Sequence, residues 1–558
     1  LPADAVPAST QANTNKGVIV AGKLRKDAGL MGLLFAGVGG MIGSGWLLGP
    51  LNAARDAGPL SIGSWAIAAL VIMLLALVYA ELAPMFPRSG GVVHISHVSH
   101  GVQLGHFWTW ILFLAYVTIP PVEAMAVVNY ANNYIPGLVH TSGLLTGFGF
   151  LTSVVLLAIM VGFNFLAIRL VLAINTVATW FKLLTPIGTI FIFLFLAHHS
   201  ANLSATSLNV ATSGVVHHVN STGMFTAISS AGVFFALFGF RQAIDLAGET
   251  DNPGRNLPIA VLGTIIIGAA VFILLQYAFV TAIPHDILAK NGWGGLTFTG
   301  ISGPFAGLAV ILGASWWATI LYADAIVSPG VCGFIWSTSG SRIIMAGGES
   351  ETMPRAVAWV NDNGTPWMAL IVVYIIGVLF FLPLPSWQKM VSYASAATVL
   401  SYGIGPIVLL KMRQALPESE LRSFRLPAPY IMAPLAFIAA NFVVFWAGFA
   451  TDNFMFLLLL GVFIVFAIYF TVFKKGETGG INWQSLGWLF PYFGGMYLLS
   501  YLGPKSMGGI GLLGVYVDMA IIVVFSIAIM WLALKVSVSP ESALAYYENE
   551  VLADQPAG

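Results

Sequence analysis

The sequence predicts an all-α polytopic membrane protein, and three observations carry that expectation. The 558 residues are 58% hydrophobic and only 8% charged, against about 25% charged in an ordinary soluble domain. Long apolar runs recur, each near the ~20 residues that cross a bilayer, and the mean hydropathy is +0.89. The Lys and Arg residues also fall unevenly between alternate loops. With the N-terminus placed inside, sixteen of the 22 cationic residues fall on the inner side, Lys23, Arg25, Lys26, Arg88, Arg255, Arg342, Arg355, Lys411, Arg413, Arg422 and Arg425 among them, and Lys182 and Arg241 lie within spans. Only Arg55, Lys290, Lys389 and Lys505 fall outside or at the outer edge, which satisfies the positive-inside rule.

About fourteen transmembrane helices are expected. The first, 30–50, contains GVGGMIGSGWLLG, a glycine-rich and therefore weak helix. The second, 60–84, is an unbroken apolar run closing at YAELAP. The next three are 104–135, long enough to tilt, then 148–167 and 173–197. The sixth, 224–246, again has glycines at its middle, Gly232 and Gly239. Then come 258–283, 305–337, 366–384, 387–411, 430–449, 454–473, 485–502 and 513–536. The expected division is a cytoplasmic tail 1–28, a transporter core 29–415, four additional helices 416–536 and a cytoplasmic tail 537–558. Both termini are thus expected on the cytoplasmic side of the cell inner (plasma) membrane.

Other classes find little support. The net charge is zero, which points to no nucleic-acid partner. A single cysteine, Cys332, excludes an intramolecular disulfide framework. Neither a TVGYG-like filter nor a G-x-S-x-G, H-E-x-x-H or P-loop pattern is present. No enzyme activity, cofactor or metal is expected. His94, His97 and His100 repeat at i+3, but no Cys or carboxylate accompanies them, so interfacial helix residues are the expectation.

The two weak helices open successive blocks of five. That is the pattern of an inverted five-helix repeat, with a substrate site near the bilayer midplane. Interrupted backbone is tolerated there only where it is buried or lines a cavity. The N–H groups at the start of a half-helix suit a carboxylate, and the carbonyls at the end of the other suit an ammonium.

Three stretches sharpen this: GGMIGSG at Gly39–Gly45; FFALFGFRQAIDLAGETDNPGRNLPIAV at Phe234–Val261, with Glu249, Asn252, Pro253, Arg255 and Pro258 spaced E-x-x-N-P-x-R-x-x-P; and YAELAPMFPRSGG at Tyr79–Gly91. Over roughly residues 28–415 the chain resembles the amino acid–polyamine–organocation transporter superfamily. The resemblance implies a five-plus-five inverted-repeat core and alternating access. It implies a substrate carboxylate on the backbone of Ile42, Gly43, Ser44 and Gly45. The amino group would meet sixth-helix carbonyls around Phe234, Phe235 and Leu237, under Phe235 or Phe238 as an aromatic lid.

Ionisable residues inside the spans cost at least about 2.5–3.5 kcal/mol on insertion scales. In some proton-coupled members of this fold a fifth-helix lysine takes the place of sodium; Lys182 matches that pattern, as a charge that gains and loses a proton during the cycle, with Asp324 as its expected partner. Arg241 stands where some members carry Glu. It either pairs with Asp245 at i+4 or presents its guanidinium to a second substrate carboxylate. Glu123, beside two prolines, is expected in the outer vestibule or in proton transfer, and Glu81 is expected to be structural. The sequence thus reads as a proton-coupled, sodium-independent amino acid transporter favouring acidic substrates. Neutral amino acids, exchange, or a potassium or organic-anion cargo remain open, as does oligomeric state.

Overall fold

Glycine decides where the first membrane segment stops being a helix. In the computed structural model α1 (Leu30–Met41) ends just after Gly39 and Gly40. Ile42 and Gly43 leave helical geometry, and α2 (Ser44–Ala57) starts with no side-chain cap of its own. The structure describes residues 29–552 except 89, 166–167, 213–214, 299–302, 362–364, 417–421 and 474–480. The tail expected over 1–28 and residues 553–558 lie outside the described residues.

α3 (Ser61–Leu82) follows, then the short α4 (Val92–His100). Gly101, at φ +82, turns the chain into α5 (Val102–Val117). α6 (Ile119–Ala131) continues it, its prolines lying in the first turn, where a missing N–H costs nothing. α7 (Gly147–Gly162) is capped by Thr146, and α8 (Ile168–Leu196) completes the first block of five. A small antiparallel hairpin, Asn209–Thr212 with Val215–His218, lies in the loop before the sixth segment. α9 (Ser221–Ser230) is capped by Asn220. Gly232, at φ +84, breaks it, and α10 (Phe240–Asp245) resumes after a bend of 54°.

α11 (Pro253–Ala282) starts from an Asn252 cap followed by proline. α12 (His285–Asn291) and α13 (Pro304–Ile311) lead into α14 (Ser315–Glu349). α15 (Trp367–Phe380), α16 (Trp387–Tyr402) and α17 (Gly405–Ala415) close the second block. Beyond it lie α18 (Pro429–Trp446), α19 (Phe449–Ile468) and helices at Leu489–Leu502, Val515–Val536 and Pro540–Tyr546.

The two broken segments sit at the start of each block, and the architecture is the five-plus-five inverted repeat. Each of the fourteen expected stretches contains a helix. By length and apolar character alone, ten runs among the described residues suffice to span a membrane, or eleven if the bent pair is one span. The run Ser44–Met85 joins two expected spans, the α9–α10 pair is bent, and α15 and Leu489–Leu502 are short.

Burial orders the helices around the site. The α5–α6 and α16–α17 stretches are wholly buried across their apolar windows, whereas α19 and Val515–Val536 bury only 28% and 33%. The former are central and the latter peripheral. α1 packs against α8, α10 and α11, α2 against α9, and α14 against α6. At one end of the bundle Glu81 gathers Arg413 (2.6 and 2.7 Å), Arg422 (2.9 Å) and the Leu426 amide (2.7 Å). Glu81 is the structural hub expected of it. His94, His97 and His100 are buried rather than interfacial. His100 bonds the Ala533 carbonyl of the Val515–Val536 helix, and His97 the Tyr546 hydroxyl of the C-terminal helix, which packs over α4. Among the described residues no metal-holding cluster occurs.

Candidate functional site

A helix that ends inside a membrane leaves carbonyls on one side of the gap and N–H groups on the other, with opposite partial charge. Both sides of the α1–α2 break are met by side chains of complementary charge. The Lys182 ammonium donates to the Gly39 carbonyl at 2.5 Å. The Gly40 carbonyl accepts from the Trp336 indole at 3.0 Å and from the Cys332 thiol at 3.4 Å. Across the break, the Ser44 amide donates to Glu123 Oε2 at 2.7 Å, so a carboxylate 79 residues away caps α2. The Ser44 hydroxyl accepts from Trp387 at 2.9 Å. Lys182 and Glu123 are fully buried. Such burial is costly unless bonded, and the two half-helix ends supply the bonds.

Glycine is needed here for space. A Cβ on Gly43 would come within 2.5 Å of Glu123 Oε1 and 2.7 Å of the Cys332 sulfur. A Cβ on Gly45 would come within 2.7 Å of the Ala236 Cβ and 2.9 Å of its Cα, so the two breaks touch each other. Between them the structure closes to a narrow gap too tight to hold a water molecule, walled by Gly40 and Met41, by Ile119 and Glu123, by Phe235 and Phe238, and by Cys332 and Trp336.

Arg241 lies beyond this wall, fully buried in a cage of rings. Its guanidinium carbon is 3.8 Å from the Tyr116 ring centre, 4.4 Å from Tyr402 and 5.3 Å from Trp336. Ring faces hold a desolvated cation. One nitrogen, Nη1, donates to Thr398 at 3.1 Å. Nε and Nη2, which form the side-on edge of the fork, have no hydrogen-bond partner among the described residues. Among the described residues no ion pair within 4.0 Å joins Arg241 to Asp245, one of the two arrangements left open by the sequence. Asp245 instead accepts from the Tyr116 hydroxyl at 2.7 Å.

The sequence-predicted residues are only partly brought together. Of the expected backbone cradle, the Ile42 and Gly43 amides bond within α1, to Val38 and Met41, and Ser44 N–H holds Glu123. Phe235 and Phe238 line the gap, whereas the buried Phe234 and Leu237 do not. Glu123 is at the centre of the site and not in an outer vestibule. Lys182 bonds Gly39 directly rather than Asp324, whose own partner is Ser328 at 2.8 Å. Sequence reasoning missed Cys332 and Trp336, which follow Ser328 at successive i+4 steps on one face of α14, a spacing that could have found them. It also missed Tyr116, Thr398 and Tyr402, which no local signal marks.

Residues 29–465 match the model of the family described as amino acid permease. The glutamate/serine transporter AimA of Bacillus subtilis (strain 168) is 35% identical over 523 residues, covering 92% of this chain and 94% of that protein. The aspartate-proton symporter of the same organism is 34% identical over 532 residues, covering 94% and 99%. A crystal structure of a manganese transporter from Eremococcus coleocola superposes with a TM-score of 0.52 at 12% identity, covering 90% of this chain and 95% of that one. At that identity the likeness speaks for the fold alone.

Proposed function

This chain belongs to the amino acid permease family, and we propose that it is a proton-coupled, sodium-independent importer of acidic amino acids working by alternating access. It is a multi-pass membrane transporter and not an enzyme. The observation that carries the substrate class is the unspent Nε/Nη2 edge of buried Arg241, which matches a carboxylate bidentately. The names of the two Bacillus relatives, a glutamate/serine transporter and an aspartate-proton symporter, agree with that class.

The coupling site is Glu123, with Lys182 and Asp324. Glu123 occupies the Ser44 N–H that a substrate carboxylate needs. A proton on Glu123 loosens that bond and frees the amide, so proton and substrate binding favour each other. Lys182 holds the other half-helix end as a fixed cation in place of sodium. The α-carboxylate then lies on the α2 start around Ile42–Gly45, the ammonium meets carbonyls near Phe234, Phe235 and Leu237, and Phe235 or Phe238 closes over it.

The core at 29–415 carries the cycle. The helices within 416–536 brace it through α18, which packs on α3, α9 and α16. The charge distribution supports cytoplasmic termini in a plasma membrane. The test is uptake of a labelled amino-acid panel into proteoliposomes by the wild type and by Arg241→Gln. Loss of aspartate and glutamate uptake in the variant, with serine uptake kept, supports the reading. Equal uptake of acidic substrates by both proteins overturns it.

A further inference from the structure

The gap and the ring cage that packs Arg241 are neighbours, and one side chain belongs to both. Trp336 is 1% exposed. On one side it lines the gap with Glu123, Phe235 and Phe238. On the other it lies 5.3 Å from the Arg241 guanidinium carbon, with the Tyr116 ring centre 5.4 Å from its own. Arg241 itself does not line the gap.

We propose that Trp336 is a specificity-determining partition: a small neutral amino acid is held with the indole in place, whereas an acidic one must displace it to reach Arg241. The inference rests on the reading that Arg241 takes the substrate's second carboxylate.

The hydrogen bonding shows why the indole can leave. Among the described residues its one hydrogen bond is Nε1–H to the Gly40 carbonyl. The Cys332 thiol donates to that same oxygen. When the indole swings away, the carbonyl at the α1 end keeps a donor, so the half-helix end is not orphaned. The lost bond is offset, because two guanidinium N–H groups without a hydrogen-bond partner among the described residues acquire a carboxylate. A neutral side chain brings nothing to those donors and leaves the partition closed. The bond to Gly40 is thus a toll on acidic substrates alone.

The experiment measures competing uptake of labelled glutamate and serine into proteoliposomes carrying wild type, Trp336→Phe or Arg241→Gln. Trp336→Phe removes the N–H and keeps an aromatic wall. It is expected to raise the glutamate-to-serine ratio about fivefold, the worth of one ordinary hydrogen bond. Arg241→Gln is expected to collapse the ratio. An unchanged ratio in Trp336→Phe beside a collapsed ratio in Arg241→Gln overturns the partition and leaves Arg241 as the carboxylate site. Unchanged ratios in both variants overturn both readings. If the Phe protein does not reach the membrane, Trp336→Tyr replaces it, with the same ratio read and the same result fatal.

Discussion

Replacing Glu123 by Gln isolates the competition at the α1–α2 break. In the wild type the carboxylate accepts the Ser44 amide at 2.7 Å from full burial. A hydrogen bond to a charged group is worth about 1.5–3 kcal/mol and a neutral one about 0.5–1.5. Neutralising the acceptor therefore weakens the hold on Ser44 by about 1–1.5 kcal/mol, or roughly five- to tenfold in an equilibrium constant. If a substrate carboxylate must displace Glu123, that difference is the proton–substrate coupling free energy, and it is reciprocal. Glu123→Gln then behaves as a permanently protonated site. Its affinity for aspartate should exceed that of the wild type by about five- to tenfold at alkaline pH and should not vary with pH. Exchange across the membrane should persist, while accumulation against a gradient is lost. Direct binding of labelled aspartate to purified protein from pH 5.5 to 8.5 reads the first effect, and counterflow against gradient-driven uptake reads the second. A Gln variant with wild-type affinity and the wild-type pH dependence would refute the competition at Ser44.

Gly43→Ala places a methyl group against Glu123 and Cys332; substrate binding should fall at least tenfold while detergent-solubilised protein keeps its size-exclusion profile. Glu249→Gln removes the 2.9 Å pair with Arg342 that ties the end of the α10 segment to α14. Alkylation of Cys332, the chain's single cysteine, should then speed up about fivefold from the face bearing Arg342, read by mass spectrometry. Burial pushes the His100 imidazole down from 6.5 to about 4, so the folded state binds fewer protons than the unfolded chain across that window. Its stabilisation is complete above pH 6.5 and fades as pH falls toward 4, amounting to about 2 kcal/mol lost at pH 5. His100→Gln should narrow the gap between melting temperatures measured at pH 8 and pH 5.

Local sequence carried the parts of this molecule that depend on local chemistry. Glycine clustering at Gly39–Gly45 and at Gly232–Gly239 marked both helix breaks, because glycine's backbone freedom acts at its own position. Lys182, Arg241 and Glu123 stood out because a charge in an apolar run needs a reason. What local pattern could not supply was which group answers which. Glu123 reaching Ser44 and Lys182 reaching Gly39 join residues 79 and 143 positions apart. The Arg241 cage gathers rings from α5, α14 and α16, and Tyr116 takes the Asp245 carboxylate that the i+4 spacing offered to Arg241. The spans themselves were legible as apolar windows, but only the folded chain shows where a helix within one is cut.

Proton-driven uptake is the most direct test of the whole account. Purified protein in liposomes, acid outside by one pH unit and without sodium on either side, is given labelled aspartate. One proton per substrate sets an accumulation of about tenfold at equilibrium, since one pH unit is worth about 1.4 kcal/mol. The account predicts that accumulation and its collapse when a protonophore dissipates the gradient. Aspartate that merely equilibrates, or that accumulates only when sodium is added, contradicts it.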